Sequence, residues 1–257
     1  MADGLFSLDN EVAVVIGGGG VIAGAMAAGL AQAGARVAIA GRTLANAESR
    51  ARTIVAGGGQ AIGIQCDATS KPDLERTLDA VLRHFGQVDV LINAAGVNSA
   101  TPFFEIREEE WHRILDIDLK SVFLACQVFG KHMVDARRGG SIINISSASS
   151  GPPVSRAFTY GVAKAGVNQI TLFLAREWAP HNIRVNALLP GFFPAEQNRK
   201  ILTPDRVASI MGHTPMNRFG QAEELVGATV YLASRRASSF VTGTILRVDG
   251  GFLAMTI

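Results

Sequence analysis

Along the chain, short runs of β-branched and other apolar residues alternate with longer segments rich in Ala and Leu. The short runs predict strands at 12–16, 36–40, 61–65, 88–92, 141–145, 183–188 and 244–248. The longer segments predict helices near 21–33, 44–56, 71–85, 105–135, 158–179 and 222–234. Because strands and helices alternate and the strands are mostly apolar, the pattern predicts an α/β fold, with helices covering both faces of a parallel sheet.

Composition fits a chain that folds around one core. The 257 residues are 48% hydrophobic and 18% charged, which supplies enough apolar material for a sizeable interior. No linker, repeat or low-complexity segment interrupts the alternation of strands and helices. We therefore expect a single domain over 1–257.

Charge and cysteine usage narrow the possible functions. The 24 Lys and Arg nearly balance the 22 Asp and Glu, and no basic run occurs, so nothing indicates a nucleic-acid surface. The two cysteines, Cys66 and Cys126, form no paired motif, and the five histidines lack metal-ligand spacing. With no signal-peptide pattern and no apolar run near the ~20 residues that span a bilayer, we expect a cytoplasmic protein without a metal site or membrane segment.

Four consecutive glycines, Gly17 to Gly20, join the first predicted strand to the first predicted helix. A glycine-rich turn at this place lets backbone N–H groups approach a pyrophosphate, whose negative charge is favoured at a helix N-terminus. Four glycines alone would equally suit a tight or flexible connection. Their position in the first strand–helix unit, with Arg42 just beyond the second strand, favours a dinucleotide site.

The stretch SIINISSASSGPPVSRAFTYGVAKAG at 141–166 carries the candidate chemistry. Tyr160 and Lys164 are four residues apart and share one helix face, so the lysine ammonium can favour the tyrosine phenolate and suit it to acid–base work. Ser147 follows a predicted strand, and its hydroxyl could hold a substrate oxygen. Taken singly, the pair could be a surface pair and the serines only a loop.

Six segments together resemble the short-chain dehydrogenase/reductase family over essentially the whole chain. They are the glycine turn at 17–20, CDATS at 66–70, LINAAG at 91–96, Ser147 with YGVAK at 160–164, RVNALLPG at 184–191 and VTGTILRVDGG at 241–251. The resemblance implies a Rossmann-like, doubly wound, seven-stranded parallel sheet with helices on both faces. It also implies an enzyme that moves a hydride between NAD(P)(H) and a carbonyl or secondary alcohol of a small molecule.

The resemblance further implies roles for individual residues. Tyr160 would be the acid–base group, Ser147 would position and polarise the substrate oxygen, and Lys164 would hold the nicotinamide ribose while favouring the phenolate. Asp67 with Ala68 would lie at the adenine. The other implied cofactor contacts are Gly17, Gly19, Gly20, Val21, Ile22, Arg42, Asn93, Ala94, Ala95, Gly96, Pro190, Gly191 and Phe193.

The chain departs from the family pattern in three features. Val21 and Ala23 replace two glycines of the turn, so the preceding glycines would supply the backbone freedom one step earlier. Asp118 stands where the family has an asparagine that supports a proton-relay water through its main-chain carbonyl, and its carboxylate would add charge near Lys164. Ala195 replaces a threonine, which removes a hydroxyl near the nicotinamide.

The residues after the second strand predict the preferred dinucleotide. An acidic side chain there would bind the ribose 2′-OH of NAD and repel a 2′-phosphate, but the chain has Gly41 followed by Arg42. We therefore expect NADP(H) to be favoured over NAD(H). Stacking of Arg42 on the adenine is the alternative.

Within the family, PGFFPAEQNRKIL and HTPMNRFGQAEEL, together with Arg156, most resemble the branch called D-mannonate oxidoreductases. Arg156 could bind a substrate carboxylate bidentately, and Glu196 and Gln197 could bind hydroxyls, in a substrate lid at about 192–215. These residues could instead form only an exposed lid helix. The expected substrate is a sugar acid or polyol, such as a mannonate-, fructuronate- or gluconate-like compound.

Two other functions stay open for this chain. A 3-oxoacyl thioester reductase acting on acyl carrier protein would need an apolar channel and a basic patch, whereas a dinucleotide-binding sensor would need no turnover. Retention of Ser147, Tyr160 and Lys164 favours an enzyme.

The apolar segment FLAMTI at 252–257, together with the family resemblance, predicts a homotetramer.

Overall fold

The computed structural model describes residues 4–194 and 203–255. Its strands are β1 (Val12–Ile16), β2 (Arg36–Gly41), β3 (Gln60–Gln65), β4 (Val90–Asn93), β5 (Gly140–Ile145), β6 (Ile183–Pro190) and β7 (Ile245–Val248). All neighbouring strands pair in parallel, in the order β3-β2-β1-β4-β5-β6-β7. This order confirms the doubly wound, Rossmann-like sheet expected from the sequence.

The described helices lie between these strands. They are α1 (Val21–Gln32), α2 (Leu44–Ala56), α3 (Lys71–Phe85), α4 (Glu108–Leu115), α5 (Ser121–Ala125), α6 (Lys131–Ala136), α7 (Phe158–Trp178), α8 (Pro204–Gly212) and α9 (Val226–Ala233). Two π-helical turns, Asp116–Lys120 and Cys126–Gly130, join α4, α5 and α6 into one continuous helical segment.

The helices bury both faces of the sheet. Successive side chains of a strand point to opposite faces, and β1 is apolar at every position. Ala13 and Val15 pack in a core with residues of α1, α2 and α9. Val12, Val14 and Ile16 pack in a second core with residues of α3, α5, α6 and α7. The continuous apolar strands of the sequence are therefore explained by burial on both sides.

The strand order reverses beside β1, which has β2 on one side and β4 on the other. In open parallel sheets, ligands bind outside the carboxyl ends of the strands at such a reversal. β1 ends just before the four glycines, and β4 ends at Asn93, just before Ala94. The fold therefore brings two of the sequence segments predicted to bind a cofactor to the same crevice.

Element boundaries differ from the sequence prediction in small ways that have local causes. β4 begins two residues later than predicted, just after Asp89, whose Oδ2 accepts the backbone N–H of Val12 at 2.9 Å. β6 runs two residues further, since its last residues stay paired with β7. The segment predicted to be helical from 105 becomes helical at Glu108, because Ile106 and Arg107 are extended.

Within the described ranges, no helix is both long and apolar enough to cross a bilayer. Over those same residues, no cluster of three or more His, Cys, Asp or Glu side chains could hold a metal ion.

Candidate active site

A cavity of about 600 Å³ lies at the crevice between β1 and β4. Its wall combines the first turn of α1, the segments after β4, β5 and β6, the start of α7, and α8. Of the predicted catalytic, cofactor and substrate residues, those on this wall are Ile22, Ala94, Gly96, Ser147, Arg156, Tyr160, Lys164, Pro190, Gly191 and Phe193. One cavity therefore holds the three candidate catalytic side chains beside several of the predicted cofactor residues.

The glycine turn has the shape that a pyrophosphate requires. Gly17 has a positive φ of 80°, and a Cβ there would lie 2.6 Å from the backbone nitrogen of Ala95, so only glycine fits. Gly20 is extended and precedes α1, whose N-terminus has no side-chain cap and no acidic residue in its first turn. The first N–H groups of α1 are therefore left for an anion. The turn fits a dinucleotide on these grounds.

The two departures within the turn occupy different environments. Val21 is the first residue of α1, and its side chain is exposed beside the N-terminus of the helix. Ala23 is buried, and it contributes to both the cavity wall and the core under α1. A β-branched side chain therefore stands next to the predicted path of the pyrophosphate, whereas the methyl group of Ala23 serves packing.

Ser147 reaches the cavity from the end of β5. It is extended and precedes a 3₁₀ turn (Ala148–Ser150), which is closed by the N–H of Ser150 donating to the Ser147 carbonyl at 2.9 Å. The Oγ of Ser147 accepts a hydrogen bond from the N–H of Ser149 at 3.2 Å. Because this bond uses the oxygen only as an acceptor, the hydroxyl hydrogen can still be donated to a ligand.

Tyr160 and Lys164 lie one turn apart on α7. The Nζ of Lys164 is 5.5 Å from the centroid of the Tyr160 ring. Lys164 is buried, and its Nζ donates to the carbonyl of Ile145 at 3.0 Å. This bond ties the lysine to the end of β5, the same strand that leads to Ser147. The ammonium is therefore fixed beside the tyrosine while two of its N–H groups remain for other partners.

Asp118 is a charged neighbour of Lys164. It lies in the first π-helical turn and is fully buried. Its Oδ2 accepts the N–H of Val97 at 2.9 Å, and its Oδ1 lies 3.4 Å from the Nζ of Lys164. Burial raises the pKa of Asp118, while Lys164 and the N–H of Val97 oppose that rise. The carboxylate thus joins the lysine to the segment after β4, and its part in a proton relay stays a prediction.

The remaining predicted cofactor residues lie at or beyond the carboxyl ends of β1 to β4. Arg42 is exposed beyond β2, and a Cβ added at Gly41 would meet nothing within 4 Å. Asp67 follows β3, where its Oδ1 accepts hydrogen bonds from the N–H and Oγ1 of Thr69 at 2.9 and 2.8 Å. Neither these residues nor Ala68 and Ala95 are on the cavity wall, so their contacts with a cofactor stay predictions.

Asn93 lies behind the cavity wall. Its side chain is buried, and its Nδ2 donates to the Oδ1 of Asn144 on β5 at 2.8 Å. Asn144 in turn donates to the Oγ1 of Thr171 on α7 at 3.0 Å. The described contacts of the Asn93 side chain therefore join β4 to β5 and α7 beneath the site.

Of the predicted substrate residues, Arg156 lines the cavity. Glu196 and Gln197 lie outside the described residues, as does Ala195, so their roles stay predictions. The structure adds two arginines that the sequence analysis did not single out, Arg113 on α4 and Arg206 on α8. The only sequence signal for Arg206 was its place within the predicted lid, and Arg113 had none beyond its position near Asp118.

Comparisons with known proteins cover nearly the whole chain. A family model described as enoyl-(acyl carrier protein) reductase matches residues 19–253. The 2-dehydro-3-deoxy-D-gluconate 5-dehydrogenase of Escherichia coli is 35% identical, with 97% of this chain and 98% of that protein covered.

Solved structures agree in fold at similar identity. A gluconate 5-dehydrogenase from Burkholderia cenocepacia, in complex with NADP and tartrate, superposes with a TM-score of 0.95 at 32% identity over 100% of both chains. A Haemophilus influenza protein described as a D-mannonate oxidoreductase, with bound NAD, gives a TM-score of 0.93 at 31% identity over 97% of each chain. With the sheet order, these matches show that the chain belongs to the short-chain dehydrogenase/reductase family of oxidoreductases.

Proposed function

We propose that this protein is an NADP(H)-favouring oxidoreductase that transfers a hydride between the nicotinamide and a carbonyl or secondary alcohol carbon of a sugar acid. The observation that carries the proposal is one cavity lined by Ser147, Tyr160 and Lys164 together with arginine side chains. The three polar side chains suit proton transfer to an oxygen, and the arginines suit an anionic substrate. The 1–257 chain would act as a single domain.

A dinucleotide bound at the glycine turn would supply or accept the hydride. The first N–H groups of α1 would hold its pyrophosphate, and Lys164 would reach its nicotinamide ribose with an N–H that Ile145 does not use. Ser147 would donate its hydroxyl hydrogen to the substrate oxygen, because its own oxygen already accepts from Ser149. This bond polarises a carbonyl during reduction and holds a hydroxyl during oxidation.

Tyr160 would move the proton. During reduction its phenolic oxygen gives a proton to the carbonyl oxygen as the hydride reaches the carbon, and during oxidation it takes the proton from the hydroxyl. The fixed ammonium of Lys164, with its Nζ 5.5 Å from the ring centroid, would stabilise the phenolate that remains after donation. Burial of the lysine strengthens this attraction, because solvent screens it less.

The charge of the cavity supports an acid as substrate. The charged side chains on its described wall are Arg113, Arg156, Lys164 and Arg206, with no Asp or Glu among those residues. Several relatives that match over nearly their whole length are named for gluconate compounds, and the Burkholderia cenocepacia structure was solved with tartrate, a hydroxy acid. A thioester reductase fits less well, since its acyl chain would need an apolar channel, whereas arginine and serine side chains interrupt the apolar residues of this wall.

The end of β2 supports NADP(H). Gly41 supplies no carboxylate to repel a 2′-phosphate, and the exposed guanidinium of Arg42 follows it. Several structural neighbours carry NADP, whereas the Haemophilus influenza protein carries NAD.

We also propose a cytoplasmic homotetramer. The free, buried cysteines Cys66 and Cys126 suit a reducing compartment, and exposed apolar side chains on α7 suit subunit contacts.

The proposal is tested by following reduced nicotinamide while the purified protein is offered sugar acids, alditols and an oxoacyl thioester with either dinucleotide. D-gluconate, D-mannonate and their keto acids should turn over best with NADP(H). Tyr160→Phe keeps the ring and removes the acid–base group, so turnover should fall roughly 10²-fold or more with dinucleotide affinity unchanged. Turnover of the thioester alone, or an active Tyr160→Phe variant, would contradict the proposal.

A further inference from the structure

We propose that Arg206 on α8 acts with Arg156 to bind the carboxylate of the substrate, and that this pair sets the preference for an acid over the corresponding neutral polyol. The inference rests on the proposed function, because it assigns the acid group of the same substrate. It adds a residue from a separate helix to the arginine predicted from the sequence.

The first line of support is unbalanced positive charge. Three guanidinium groups, those of Arg113, Arg156 and Arg206, line the cavity. Across the described part of the chain, none of the three lies within 4.0 Å of a carboxylate oxygen, whereas other arginines, such as Arg218 and Arg235, are paired with Glu or Asp. Arginines that line a concave site without a carboxylate partner are suited to an anionic ligand.

The second line is the geometry of Arg206. It is the third residue of α8, and its backbone N–H donates to the Oγ1 of Thr203, the cap of that helix, at 3.4 Å. Its Nη2 donates to the carbonyl of Ser155 at 3.0 Å. A guanidinium has five N–H donors, so this single described bond fixes the group and leaves the others for a ligand.

The third line is the backbone at Arg156, the residue directly after Ser155. Its φ is 57°, in the left-handed region that residues other than glycine rarely adopt. Strained backbone at a cavity wall is typical of sites where a side chain must be held for a ligand. Because Arg206 is bonded to Ser155, the two arginines reach the cavity from adjoining points on different elements. Such an arrangement suits the two oxygens of one carboxylate.

A phosphate group of the dinucleotide is the other anion that these arginines could bind. The turn at Gly17 and the N-terminus of α1 are already suited to bind the pyrophosphate. Arg42, which directly follows the carboxyl end of β2, is placed for the adenosine end of the dinucleotide. We therefore assign the arginine pair to the substrate, and the measurements below separate the two anions.

The test is calorimetric titration of the intact protein saturated with NADPH, using D-gluconate and then sorbitol. Both components of the gluconate complex are reduced, so no turnover occurs, and sorbitol differs only by a CH₂OH in place of the carboxylate. Arg206→Gln retains a donor for the Ser155 carbonyl but loses the charge. It should weaken gluconate binding about 10- to 100-fold, as expected for the loss of a charge-assisted contact. Sorbitol and NADPH affinities should change less than about twofold.

Two further variants sharpen the result. Arg206→Lys keeps the charge without the planar fork, so its gluconate affinity should lie between those of wild type and Arg206→Gln. Arg107→Gln removes the same charge from an exposed position just before α4, away from the cavity wall, and should leave all three affinities unchanged.

The outcomes separate the assignment from the proposed function. Unchanged gluconate binding in Arg206→Gln, or equal weakening of gluconate and sorbitol, would overturn the assignment even if the wild type oxidises sugar acids. A fall in NADPH affinity alone would assign the arginine to the dinucleotide instead. If the wild type neither binds nor oxidises any sugar acid of the panel, the proposed function fails together with the assignment.

Discussion

Lys164 has two oxygen neighbours of different kinds, and the difference matters for its chemistry. The carbonyl of Ile145 is neutral, whereas the Asp118 carboxylate can carry a charge 3.4 Å from the lysine Nζ. An asparagine in place of Asp118 could still accept the N–H of Val97 through its amide oxygen, but it would add no charge. The substitution that this chain carries relative to its family pattern is therefore chiefly a change in electrostatics around the ammonium.

The stability of Asp118→Asn relative to wild type should depend on pH. Burial raises the folded-state pKa of Asp118 above its ordinary value of 3.8. A raised folded pKa contributes stability that is present below the unfolded value and is lost as pH rises through the folded pKa. Asparagine resembles the protonated form and does not titrate. The difference in unfolding free energy, measured in urea between about pH 4 and pH 8, should therefore shift in favour of the variant as pH rises.

The same variant should also alter the pH–rate profile. Removing the negative charge leaves the Lys164 ammonium to act on the Tyr160 phenolate unopposed, so the limb governed by Tyr160 should move to lower pH. Asp116→Asn is the matched control, because Asp116 lies in the same π-helical turn but forms an exposed pair with Lys120. If the pH–rate profiles of wild type and Asp118→Asn overlap, the carboxylate has no effect on Tyr160, and Asp118 acts in catalysis only through its main-chain carbonyl.

The sequence revealed some site residues and missed others for one physical reason. Ser147, Tyr160 and Lys164 lie within one short stretch, so their grouping was visible along the chain. Arg206 reaches the cavity only because α8 folds back to the segment before α7 and is tied to it by Ser155. A contact between residues so distant in sequence depends on the tertiary fold, and no local spacing encodes it.

At the level of elements, the strand–turn–helix unit from β1 to the end of β2 gives the clearest cofactor prediction. Gly41→Asp places a carboxylate at the end of β2, where a Cβ meets nothing within 4 Å, so the fold should tolerate it. The charge would repel a 2′-phosphate and accept hydrogen bonds from a ribose 2′-OH. The ratio of kcat/KM with NADP⁺ to that with NAD⁺ should fall by about tenfold or more, a difference of about 1.4 kcal/mol in transition-state binding.

Gly41→Ala is the control for that change, since it adds the side-chain carbon without the charge and should leave the ratio nearly unaltered. A wild-type protein that already prefers NAD⁺ by a wide margin would reverse the assignment and leave Arg42 to stack on the adenine. Equal effects of Asp and Ala at this position would mean that shape, not charge, governs the choice.

The predicted bounds of some elements match the structure, notably where a strand is buried on both faces or a helix ends at a glycine. β1 and α2 have the predicted bounds, because a strand buried on both faces is apolar throughout and α2 ends at a glycine. The two π-helical turns between α4 and α6 were not predictable, since a single long helix gives nearly the same apolar periodicity. An extra residue in a turn rotates the side chains beyond it. The family resemblance implied that the Asp118 carboxylate lies near Lys164, but its distance from Nζ and its bond to the N–H of Val97 needed the structure.

At the scale of the whole molecule, several large apolar side chains remain exposed on one helix. On α7, Phe158, Val162 and Phe173 are 50%, 42% and 63% exposed. Positions four and eleven residues apart return to one face of a helix, so the three side chains form a stripe along α7. Contiguous exposed apolar surface in a monomer favours association, and a stripe on a long helix suits packing against the same helix of a second copy.

The assembly prediction follows from this stripe. Light scattering of the wild type at micromolar concentration should give about four times the 27.1 kDa chain mass. Phe173→Asp places a charge at the C-terminal end of the stripe, at the most exposed of its three side chains, where desolvation of the charge would oppose association and should shift the protein to a smaller species. Val55→Asp is the matched control, because Val55 is 52% exposed at the end of α2, on the other face of the sheet, and its replacement should leave the mass unchanged. A monomeric wild type would contradict the tetramer, and a Phe173→Asp variant of full mass would move the contact away from α7.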